Sequence, residues 1–527
     1  MIRIRDLRLP PGSAEAEMRT AAAGALGISP AELREMHIAR LSVDARRGRE
    51  TALVCTLLTS CADEARILRR CRDGRVSLYE KAAYVPPENR RTSALRPVVV
   101  GMGPAGLFAA LTLAEAGAPC VVLERGGDID SRTAAVERAW RTGVPDRHSN
   151  VQFGEGGAGT FSDGKLTTGT HDGRISAVLD TFHRFGAPED ILWSARPHIG
   201  TDILREVVRG MRTRLLELGC EVRFFHRMTG FRLDGVGLRA LEVRGPAGPY
   251  VLETDAAALA IGHSARDSFA MLCDAGLEMV PKPFAMGVRI EHKQAAISAA
   301  QYGAHAGQLP PADYRLAAHL ENGRHVFSFC VCPGGVVVAS ASEEGTIVTN
   351  GMSCRARDGE NINGALLVNV TPADFDGADA LAGVRFQAEW ERRAYALGGA
   401  NGFAPAQTCG DFLAGRASVR GGAVVPSYHP GVTWTDLAGA LPDFVTESLR
   451  LAVPRLGRKV RGFDSPDAVL TGIESRSSSP VRICRGEDLC ATKAPGLYPC
   501  GEGAGYAGGI VSAAVDGIRV AERILEK

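Results

Sequence analysis

A glycine-rich turn after an apolar run has the spacing of a diphosphate-binding motif. Residues 101–106 are GMGPAG, which fits GxGxxG, and they stand between PVVVG and the helical pattern LFAALTLAEAG. The first glycine permits a tight turn, the second lets a diphosphate approach the backbone, and the third lets the helix pack on the strand. Free N–H groups at the helix start attract phosphate. We therefore predict that the cofactor contacts Gly101, Gly103, Pro104, Ala105 and Gly106. The alternative is a turn without a ligand.

An acidic residue ends the next apolar run, as the motif requires. Glu124 closes the strand pattern APCVVLER, and Arg125 follows it. A carboxylate at this place accepts hydrogen bonds from an adenosine ribose and disfavours a 2′-phosphate. We predict that both residues contact the cofactor, and that NADP does not occupy this site.

A second turn near the C-terminus distinguishes between FAD and NAD. The segment LYPCGEGAGYAGGI ends a strand in Gly501-Glu502 and continues through glycines into a helix near Ile510. A carboxylate there suits the ribityl chain of a flavin, and the positive end of the helix dipole suits its pyrimidine end. Gly501, Glu502, Gly508, Gly509 and Ile510 are therefore predicted cofactor residues, as is Gly262 at the end of AAALAIG. The alternatives are a plain helix with a glycine-rich entry and a protein that binds NAD alone.

The stretch GEGGAGTFSDGK, residues 154–165, contains five glycines and too few apolar residues for a core. Glycines let a backbone run close to a large ligand because no Cβ atom holds it away. We predict that Gly156, Gly157, Gly159, Thr160 and Ser162 pass the diphosphate and the ring system. Lys165 supplies a cation near the flavin. The alternative is a flexible exposed loop.

These motifs occur in a fixed order with others. Among them are NVQFGEGGAGTFSDGKL, RPHIGTDIL, KPFAMGVRIEH, FCVCPGG, TNGMS and LYPCGEGAGYAGGI. The set resembles the bacterial FAD-dependent dehydrogenases of uncharacterised substrate, relatives of the glutathione-reductase-type FAD/NAD(P)-binding flavoproteins. The resemblance spans about residues 90–527. It implies FAD as cofactor and a substrate domain inserted into the FAD domain, but no known substrate.

The chain departs from pyridine nucleotide–disulfide reductases in two places. It has neither a second GxGxxG for NAD(P)H nor a CxxxxC pair after the first unit. We therefore expect no dedicated NAD(P)H domain and no disulfide relay of that type. NAD(P)H remains a possible transient electron donor over the flavin.

Three residues are candidates for the reaction itself. Lys165 and His292 are predicted polar groups near the flavin, although His292 equally fits a surface histidine beside Glu291 and Lys293. Cys332 lies in CVCPGG, one residue from Cys330. A disulfide between positions i and i+2 would be strained and easily reduced, so the pair could be redox-active or contact substrate. The alternative is that both cysteines are buried in a strand as small hydrophobes.

The elements that must position these residues indicate an α/β fold. We predict a Rossmann-like FAD-binding domain with a β-meander crossover over residues 91–275 and 455–527. A mixed α+β substrate domain, 276–454, is inserted into it. Residues 1–90 form a small α/β domain with a strand at IRIRDLRL, a helix starting at Ser29-Pro30, a hairpin turning near Arg47-Gly48 and a helix at ADEARILRRCR. The segment 84–97 is predicted to be a linker.

Composition limits the class of protein. The 527 residues carry a net charge of +1 and are 45% hydrophobic and 23% charged, as in ordinary globular proteins. No apolar run suits a membrane span, the N-terminus lacks a secretory signal, and the 13 cysteines have no framework spacing. No spacing suits a metal site. We expect a cytoplasmic protein with a small-molecule substrate, without a membrane or metal, whose oligomeric state the sequence does not indicate.

The N-terminal region differs in charge from the rest. Residues 1–96 contain 18 Lys and Arg against 12 Asp and Glu. The preferred function is an FAD-dependent oxidoreductase that transfers a hydride or electrons between a small organic substrate and FAD. The alternative is a flavoprotein that binds or acts on RNA or an acidic protein partner through this basic domain. Nucleic acid is the less favoured partner because no aromatic RNA-binding signature is present.

Overall fold

The computed structural model describes residues 1–80, 84–375 and 377–527. These residues fold into a mixed α/β architecture with three large regions: an N-terminal antiparallel sheet, a parallel sheet with helices, and a seven-stranded sheet. Each region has its own buried apolar cluster. Within the described residues, no helix is both long enough and apolar enough to cross a membrane.

The N-terminal region is a four-stranded sheet with two helices. Its elements are β1 (Ile2–Leu9), α1 (Glu15–Leu26), β2 (Leu33–Asp44), β3 (Ala52–Cys61), α2 (Glu64–Arg70) and β4 (Val76–Leu78). The strands lie in the order β2-β3-β1-β4. The predicted first strand, the hairpin and the second helix are confirmed. Residues 81–83 of the predicted domain lie outside the described residues.

The helix predicted to start at Ser29-Pro30 is wrong. Pro30–Glu32 makes only a single 3-10 turn, and β2 begins at Leu33. The capping pattern itself is present, since the Ser29 N–H donates to the Glu32 carboxylate at 2.7 Å. Strand pairing of β2 with β3 overrides the local helix-start signal. The first helix of this region is instead α1, which ends before Ser29 and which the sequence patterns did not indicate.

The segment 84–97 contains neither helix nor strand, but it is fixed to its surroundings. The Tyr84 hydroxyl donates to Glu522 at 2.7 Å, and the Arg90 N–H donates to the Leu525 carbonyl at 2.8 Å. Arg91 pairs with Asp255. The segment therefore packs along the C-terminal helix and is held in place by these contacts.

The next region starts as a strand-helix-strand unit. It contains β5 (Val98–Val100), α3 (Pro104–Glu115), β6 (Val121–Glu124), α4 (Ile129–Thr142), α5 (Arg174–Arg184), α6 (Thr201–Glu217) and β7 (Glu221–Phe224). An antiparallel meander follows, made of β8 (Arg227–Leu233), β9 (Leu238–Gly245) and β10 (Gly248–Glu253). Then come β11 (Ala257–Leu259), α7 (Arg266–Asp274) and β12 (Met279–Pro281).

The middle region is built around one long mixed sheet. Its first half contains β13 (Phe284–Lys293), α8 (Gln294–Tyr302), β14 (Ala317–His319), β15 (His325–Cys332), β16 (Val336–Ala339), β17 (Thr349–Met352), β18 (Asn361–Val370) and α9 (Ala382–Leu397). Its second half contains β19 (Ala404–Thr408), α10 (Cys409–Ala414), β20 (Val432–Trp434), α11 (Asp443–Gly457) and β21 (Val469–Glu474). The sheet order is β14-β15-β18-β13-β21-β19-β20, with β13 at its centre.

The chain then returns to the parallel sheet. The last elements are β22 (Val481–Ile483), β23 (Leu497–Pro499) and α12 (Ile510–Leu525). Strand β23 pairs in parallel with β11, which completes the order β23-β11-β5-β6-β7. The fold is therefore α/β with a Rossmann-like parallel sheet and a β-meander, as predicted, and the C-terminal segment completes a sheet that begins at Val98.

Two helices that start at the edge of this sheet cross at small residues. A Cβ atom at Gly517 of α12 would lie 2.1 Å from the carbonyl oxygen of Ala105 in α3. A Cβ atom at Gly106 would lie 1.9 Å from the Gly101 carbonyl oxygen. These distances leave no room for a side chain. Glycine at 517 lets the middle of α12 lie against the start of α3, and glycine at 106 lets α3 lie close to the turn after β5.

We expect Gly517→Ala to destabilise the protein by about 1–3 kcal/mol, because overpacking forces the two helix backbones apart. Gly24→Ala in α1 is the matched control, since a Cβ atom there meets no atom within 4 Å. It should be neutral or stabilise by up to about 1 kcal/mol. Urea unfolding midpoints measure both. Equal midpoints for the two variants would contradict the close crossing.

Candidate functional site

A cleft of about 1150 Å³ lies between the parallel sheet, the glycine loop 154–165 and the seven-stranded sheet. Most of the predicted site residues line it. They are Gly101, Gly103, Pro104, Ala105, Glu124, Arg125, Gly157, Gly159, Ser162, Lys165, Gly262, Gly501, Glu502, Gly508, Gly509 and Ile510. The two distant glycine turns thus border one elongated space.

The start of α3 faces this cleft with free backbone donors. Gly103 is the N-cap residue, and no side chain caps the helix. The helix α12 likewise begins without a side-chain cap, at Gly509. Uncapped helix starts carry N–H groups and a positive dipole end that favour an anionic ligand. Both helix starts therefore offer donors where the diphosphate and the flavin are predicted.

Glu124 joins three turns through its carboxylate. Its oxygens accept N–H bonds from Met102 at 2.8 Å, Gly126 at 2.8 Å and Gly154 at 2.9 Å. The residue lines the cleft and is 4% exposed. Arg125 beside it pairs with Asp267 and lies over the Phe153 ring at 4.3 Å. Glu124 therefore shapes the predicted ribose site and holds the first glycine turn against the loop.

The C-terminal turn is held by a buried ion pair. Asp516 of α12 accepts the Gly501 N–H at 2.8 Å and pairs with Arg485 at 2.7 Å. Glu502 accepts the Gly509 N–H at 3.4 Å. Neither Asp516 nor Arg485 was predicted, because nothing in the sequence connects them with the turn. They fix the backbone that the predicted flavin contacts use.

The loop 154–165 packs between the starts of the two helices. Gly157 has φ +61°, and a Cβ atom there would lie 2.8 Å from the Cα atom of Gly103. A Cβ atom at Gly159 would lie 3.2 Å from the Ile510 side chain. Glu155 and Thr160 are fully buried. The alternative of a flexible exposed loop is therefore wrong, because the loop is part of the packed wall of the cleft.

Three glycine-motif residues predicted to contact the cofactor do not line the cleft. Thr160 faces inward, where its hydroxyl donates to the Glu155 carbonyl at 3.3 Å. A Cβ atom at Gly156 would lie 2.1 Å from that hydroxyl. Gly106 lets α3 pack closely on β5 and the turn that follows it. These three residues support the loop or the helix from behind, which corrects their predicted role as contacts.

A buried arginine organises the glycine loop. Arg132 of α4 is 0% exposed and donates to the carbonyls of Asn150 at 2.9 Å, Val151 at 3.0 Å, Gly154 at 3.4 Å, Glu155 at 2.5 Å and Gly157 at 2.9 Å. Burial lowers the pKa of Arg132 to about 9, so the group stays charged at neutral pH. No sequence pattern indicated Arg132, since its partners are backbone atoms.

Lys165 belongs to a small charge network. Its ammonium group lies 3.2 Å from Asp163 and donates to the Val331 carbonyl. Asp163 also pairs with Arg357 and accepts from Ser353. Burial would raise the pKa of Asp163, but Lys165 and Arg357 hold it well below its usual range. The predicted cation is therefore present at the cleft wall, tied to the middle region through Val331.

The two cysteines of CVCPGG lie beside Lys165. Cys330 lines the cleft, whereas Cys332 is buried behind it with its Sγ 4.0 Å from the Lys165 ammonium. Cys332 also lies 3.4 Å from the Cys330 carbonyl oxygen. Cys332 therefore does not face the cleft directly, and the half-buried Cys330 is the more accessible member of the pair. All 13 cysteines, each within the described residues, are free thiols.

His292 is not near the cleft, which corrects both predictions for it. It lies in the central strand β13, is 3% exposed, and its Nε2 is 2.8 Å from the Phe463 carbonyl. Its ring packs against Tyr314 and Phe463. Burial lowers its pKa to about 4, so it is neutral at physiological pH. The polar run EHK suggested a surface, but β13 is covered on both faces.

The outer part of the cleft is rich in cations. Arg196, Arg315 and Lys459 line it and are exposed. Arg196 pairs with Asp313, while Lys459 donates to the Ala317 carbonyl at 2.6 Å. Among the described residues, Arg315 has no ion-pair partner. Two positive charges are thus left over at the cleft mouth.

The N-terminal sheet borders this mouth. Leu41 of β2 exchanges backbone hydrogen bonds with the segment before Arg196, at 2.9 Å to the Trp193 carbonyl and 2.8 Å from the Ala195 N–H. Arg47 donates to the Arg458 carbonyl at 3.4 Å. The small basic region is therefore docked beside the entrance to the cleft.

Comparison with protein families gives three matches along the chain. A sequence model described as "FAD binding domain" matches residues 96–140. One described as "FAD-dependent protein, C-terminal domain-like" matches residues 283–477. A domain of unknown function matches residues 1–58. The chain thus contains an FAD-binding domain that covers the first glycine turn and Glu124, while its relation to glutathione-reductase-type flavoproteins stays a prediction.

A relative and several solved structures are also similar. A protein of Clostridium beijerinckii, described as uncharacterised, is 46% identical over 507 residues, which are 95% of this chain and 94% of the relative. A flavin-dependent brominase is 11% identical, with 82% of this chain and 79% of that chain covered and a TM-score of 0.39. A glycerol-3-phosphate dehydrogenase of Bacillus halodurans, solved with FAD, is 10% identical, with 82% and 64% covered and a TM-score of 0.35.

Glu155 makes the stability of the site depend on pH. Burial raises the pKa of Glu155 to about 7, although Arg212 lies 3.0 Å away, and its Oε1 has no hydrogen-bond partner among the described residues. A carboxyl whose pKa rises on folding stabilises the fold fully below about pH 4.5, and that contribution is lost as the pH rises through 7. The loss is on the order of 3 kcal/mol.

We expect Glu155→Gln to remove this dependence. The stability of the variant relative to wild type should increase between pH 5 and pH 8, because only the wild type must bury a charge. Urea midpoints of both proteins at the two pH values measure the difference. Parallel pH profiles would contradict a raised pKa at Glu155.

Proposed function

Because this chain belongs to the same family as the uncharacterised protein of Clostridium beijerinckii and contains an FAD-binding domain, it is an FAD-dependent oxidoreductase, and we propose that it transfers a hydride between FAD in the cleft and a small organic substrate. The observation that carries the proposal is the meeting of residues 101–106 and 501–509 in one elongated cleft. Its volume of about 1150 Å³ exceeds the roughly 300–1000 Å³ of ordinary small-ligand sites. It suits a dinucleotide together with a substrate.

The residues present fit FAD. The backbone at Gly103 and Gly157 forms a cradle that a Cβ atom would fill. The uncapped start of α3 would hold the diphosphate, and the Glu124 carboxylate lies where an adenosine ribose would bind. The Glu502 carboxylate and the start of α12 would hold the ribityl chain and the pyrimidine end. FAD supplies hydride and electron transfer when bound.

The chain's own residues bind, orient and supply charge. The helix dipole of α12 favours negative charge at the cleft wall. Burial alone would lower the pKa of Lys165, but the Cys332 thiol and the Asp163 carboxylate raise it overall, so the ammonium keeps its proton. Lys165 therefore offers a fixed positive charge to a substrate. The surplus cations at the mouth support an anionic substrate or reductant, such as NAD(P)H bound transiently.

Purified protein should be yellow and release FAD on denaturation, at about one FAD per chain. Gly157→Ala should lose most of the FAD, because the added Cβ atom would meet Gly103 and the positive φ is strained for alanine. Gly173→Ala is the control, since it lies outside the cleft in open space. Absorbance of the released flavin measures the FAD content of the wild type and of each variant. Colourless wild-type protein that takes up no FAD would refute the proposal.

Anaerobic reduction of the bound flavin by NADH and NADPH tests the cationic mouth. Arg315→Gln and Lys459→Gln should each raise the concentration for half-maximal reduction rate several-fold, because a rim charge attracts an anionic reductant. Arg420→Gln, an exposed arginine that does not line the cleft, should leave it unchanged. Stopped-flow absorbance gives the rates. Equal half-maximal concentrations in all four proteins would show that the cations at the mouth do not attract the reductant. No reduction by either nucleotide would exclude NAD(P)H as the donor.

A further inference from the structure

The wall of the cleft opposite the glycine turns contains an irregular strand. Strand β15 pairs regularly with β18 up to Phe329, and the register then shifts before Cys332. Cys330, within the shift, has φ +42°, a left-handed conformation that is rare for a residue with a side chain. Strained backbone of this kind clusters at functional sites. The distortion lies at the one place in β15 that carries two thiols.

The irregularity places Cys330 at the cleft and Cys332 directly behind it. Cys330 lines the cleft and is half-buried, and the Cys332 thiol donates to the Cys330 carbonyl at 3.4 Å. A hydrogen bond with Cys332, with Lys165 and Arg289 nearby, holds the pKa of Cys330 well below its usual range. A thiol with a lowered pKa and access to a cavity is the reactive kind. The alternative of two inert buried hydrophobes fits Cys332 alone.

Two cations, Arg289 and Lys165, bind the backbone between the two cysteines. Arg289, 0% exposed in β13, donates to the Cys330 carbonyl at 2.8 Å and is paired with Glu474. Lys165 bonds the Val331 carbonyl and lies 4.0 Å from the Cys332 Sγ. The two backbone carbonyls between the cysteines are therefore held by charged groups. Lys165 is also the last residue of the glycine loop. The thiols therefore lie next to the part of the cleft where the flavin is proposed.

We propose that Cys330 and Cys332 form a reversible dithiol–disulfide couple that exchanges two electrons with bound FAD. The proposal rests on the proposed function. In the reducing direction the Cys330–Cys332 S–S bond breaks, and the pair takes two electrons and two protons from reduced FAD, which leaves two thiols and oxidised FAD. In the other direction the two thiols give up the same electrons and protons to oxidised FAD. A disulfide across so small a ring is strained, which makes it a ready electron acceptor.

The test counts electrons and thiols separately. Holoenzyme is oxidised mildly with diamide, desalted and titrated anaerobically with dithionite. Wild type should consume about two electrons per FAD more than Cys330→Ser, Cys332→Ser and Cys332→Ala, because any other disulfide formed on oxidation is common to all four proteins. Cys354→Ser, which removes an exposed thiol that does not line the cleft, should consume as many electrons as wild type. Flavin absorbance before titration shows that each variant has folded and loaded.

Peptide mapping after alkylation supplies the second readout. The oxidised wild type should contain a linked Cys330–Cys332 peptide that disappears when the bound FAD is reduced, and FAD-stripped protein should retain the link under the same reductant. Mapping is needed because Cys120 and Cys220, with sulfurs 3.7 Å apart in the core, are a second pair that oxidation can join.

The outcomes separate the two proposals. Equal electron counts in oxidised wild type and Cys330→Ser, or alkylation of both Cys330 and Cys332 after oxidation, would overturn the couple while leaving the FAD enzyme intact. A Cys330–Cys332 link that survives reduction of the FAD would overturn the exchange. Protein that binds no FAD fails the proposed function at the first absorbance measurement, before any thiol is counted.

Discussion

The site depends on one constraint: a backbone that must approach a large ligand closely cannot be held by its own side chains. The loop 154–165 contains five glycines, so it has few side chains with which to anchor itself. Arg132 performs this task from α4, through bonds to three carbonyls of the loop and to the two carbonyls of Asn150 and Val151 just before it. Hydrogen bonds from a charged donor contribute about 1.5–3 kcal/mol each when their partners are buried. The guanidinium has no carboxylate among these hydrogen-bond partners, but Glu124 and Glu155 nearby also favour its charge.

Shared carboxylates perform the same task between segments that are distant in sequence. Glu124 joins the first glycine turn to the loop, Asp516 fixes the C-terminal turn, and Asp163 joins the loop to Arg357 in the middle region. Each carboxylate accepts at least three bonds, so removal of any one leaves several donors unpaired. The cleft is therefore bordered by both sheets. Because Asp163 ties the loop to Arg357, the position of the wall formed by the seven-stranded sheet depends on the position of the loop.

The part of this arrangement that depends on local pattern was predictable. The GxGxxG turn, Glu124 and the C-terminal Gly-Glu turn all line the cleft because their spacing encodes a strand, a turn and a helix. The buried partners were not predictable. Asp163 and Arg357 are distant in sequence, and Arg132 sits in a polar helix that looks like any surface helix. For His292 the local pattern was misleading. Its polar neighbours indicated a surface position, but it lies at the end of the central strand of a sheet that is covered on both faces. The helix expected at Ser29 failed because strand pairing outweighed a correct capping pattern.

The two walls of the cleft differ in how regular they are. The wall from the parallel sheet uses glycines where the backbone must turn, so its unusual conformations carry little strain. The wall from β15 places a left-handed conformation on Cys330, where a Cβ atom makes it costly, and holds it with Arg289 and Lys165. A glycine at that position would relieve the strain but would remove the thiol. A side chain at a strained position, held there by the buried Arg289 and by Lys165, supports the proposal that this wall presents the Cys330 thiol to the cleft.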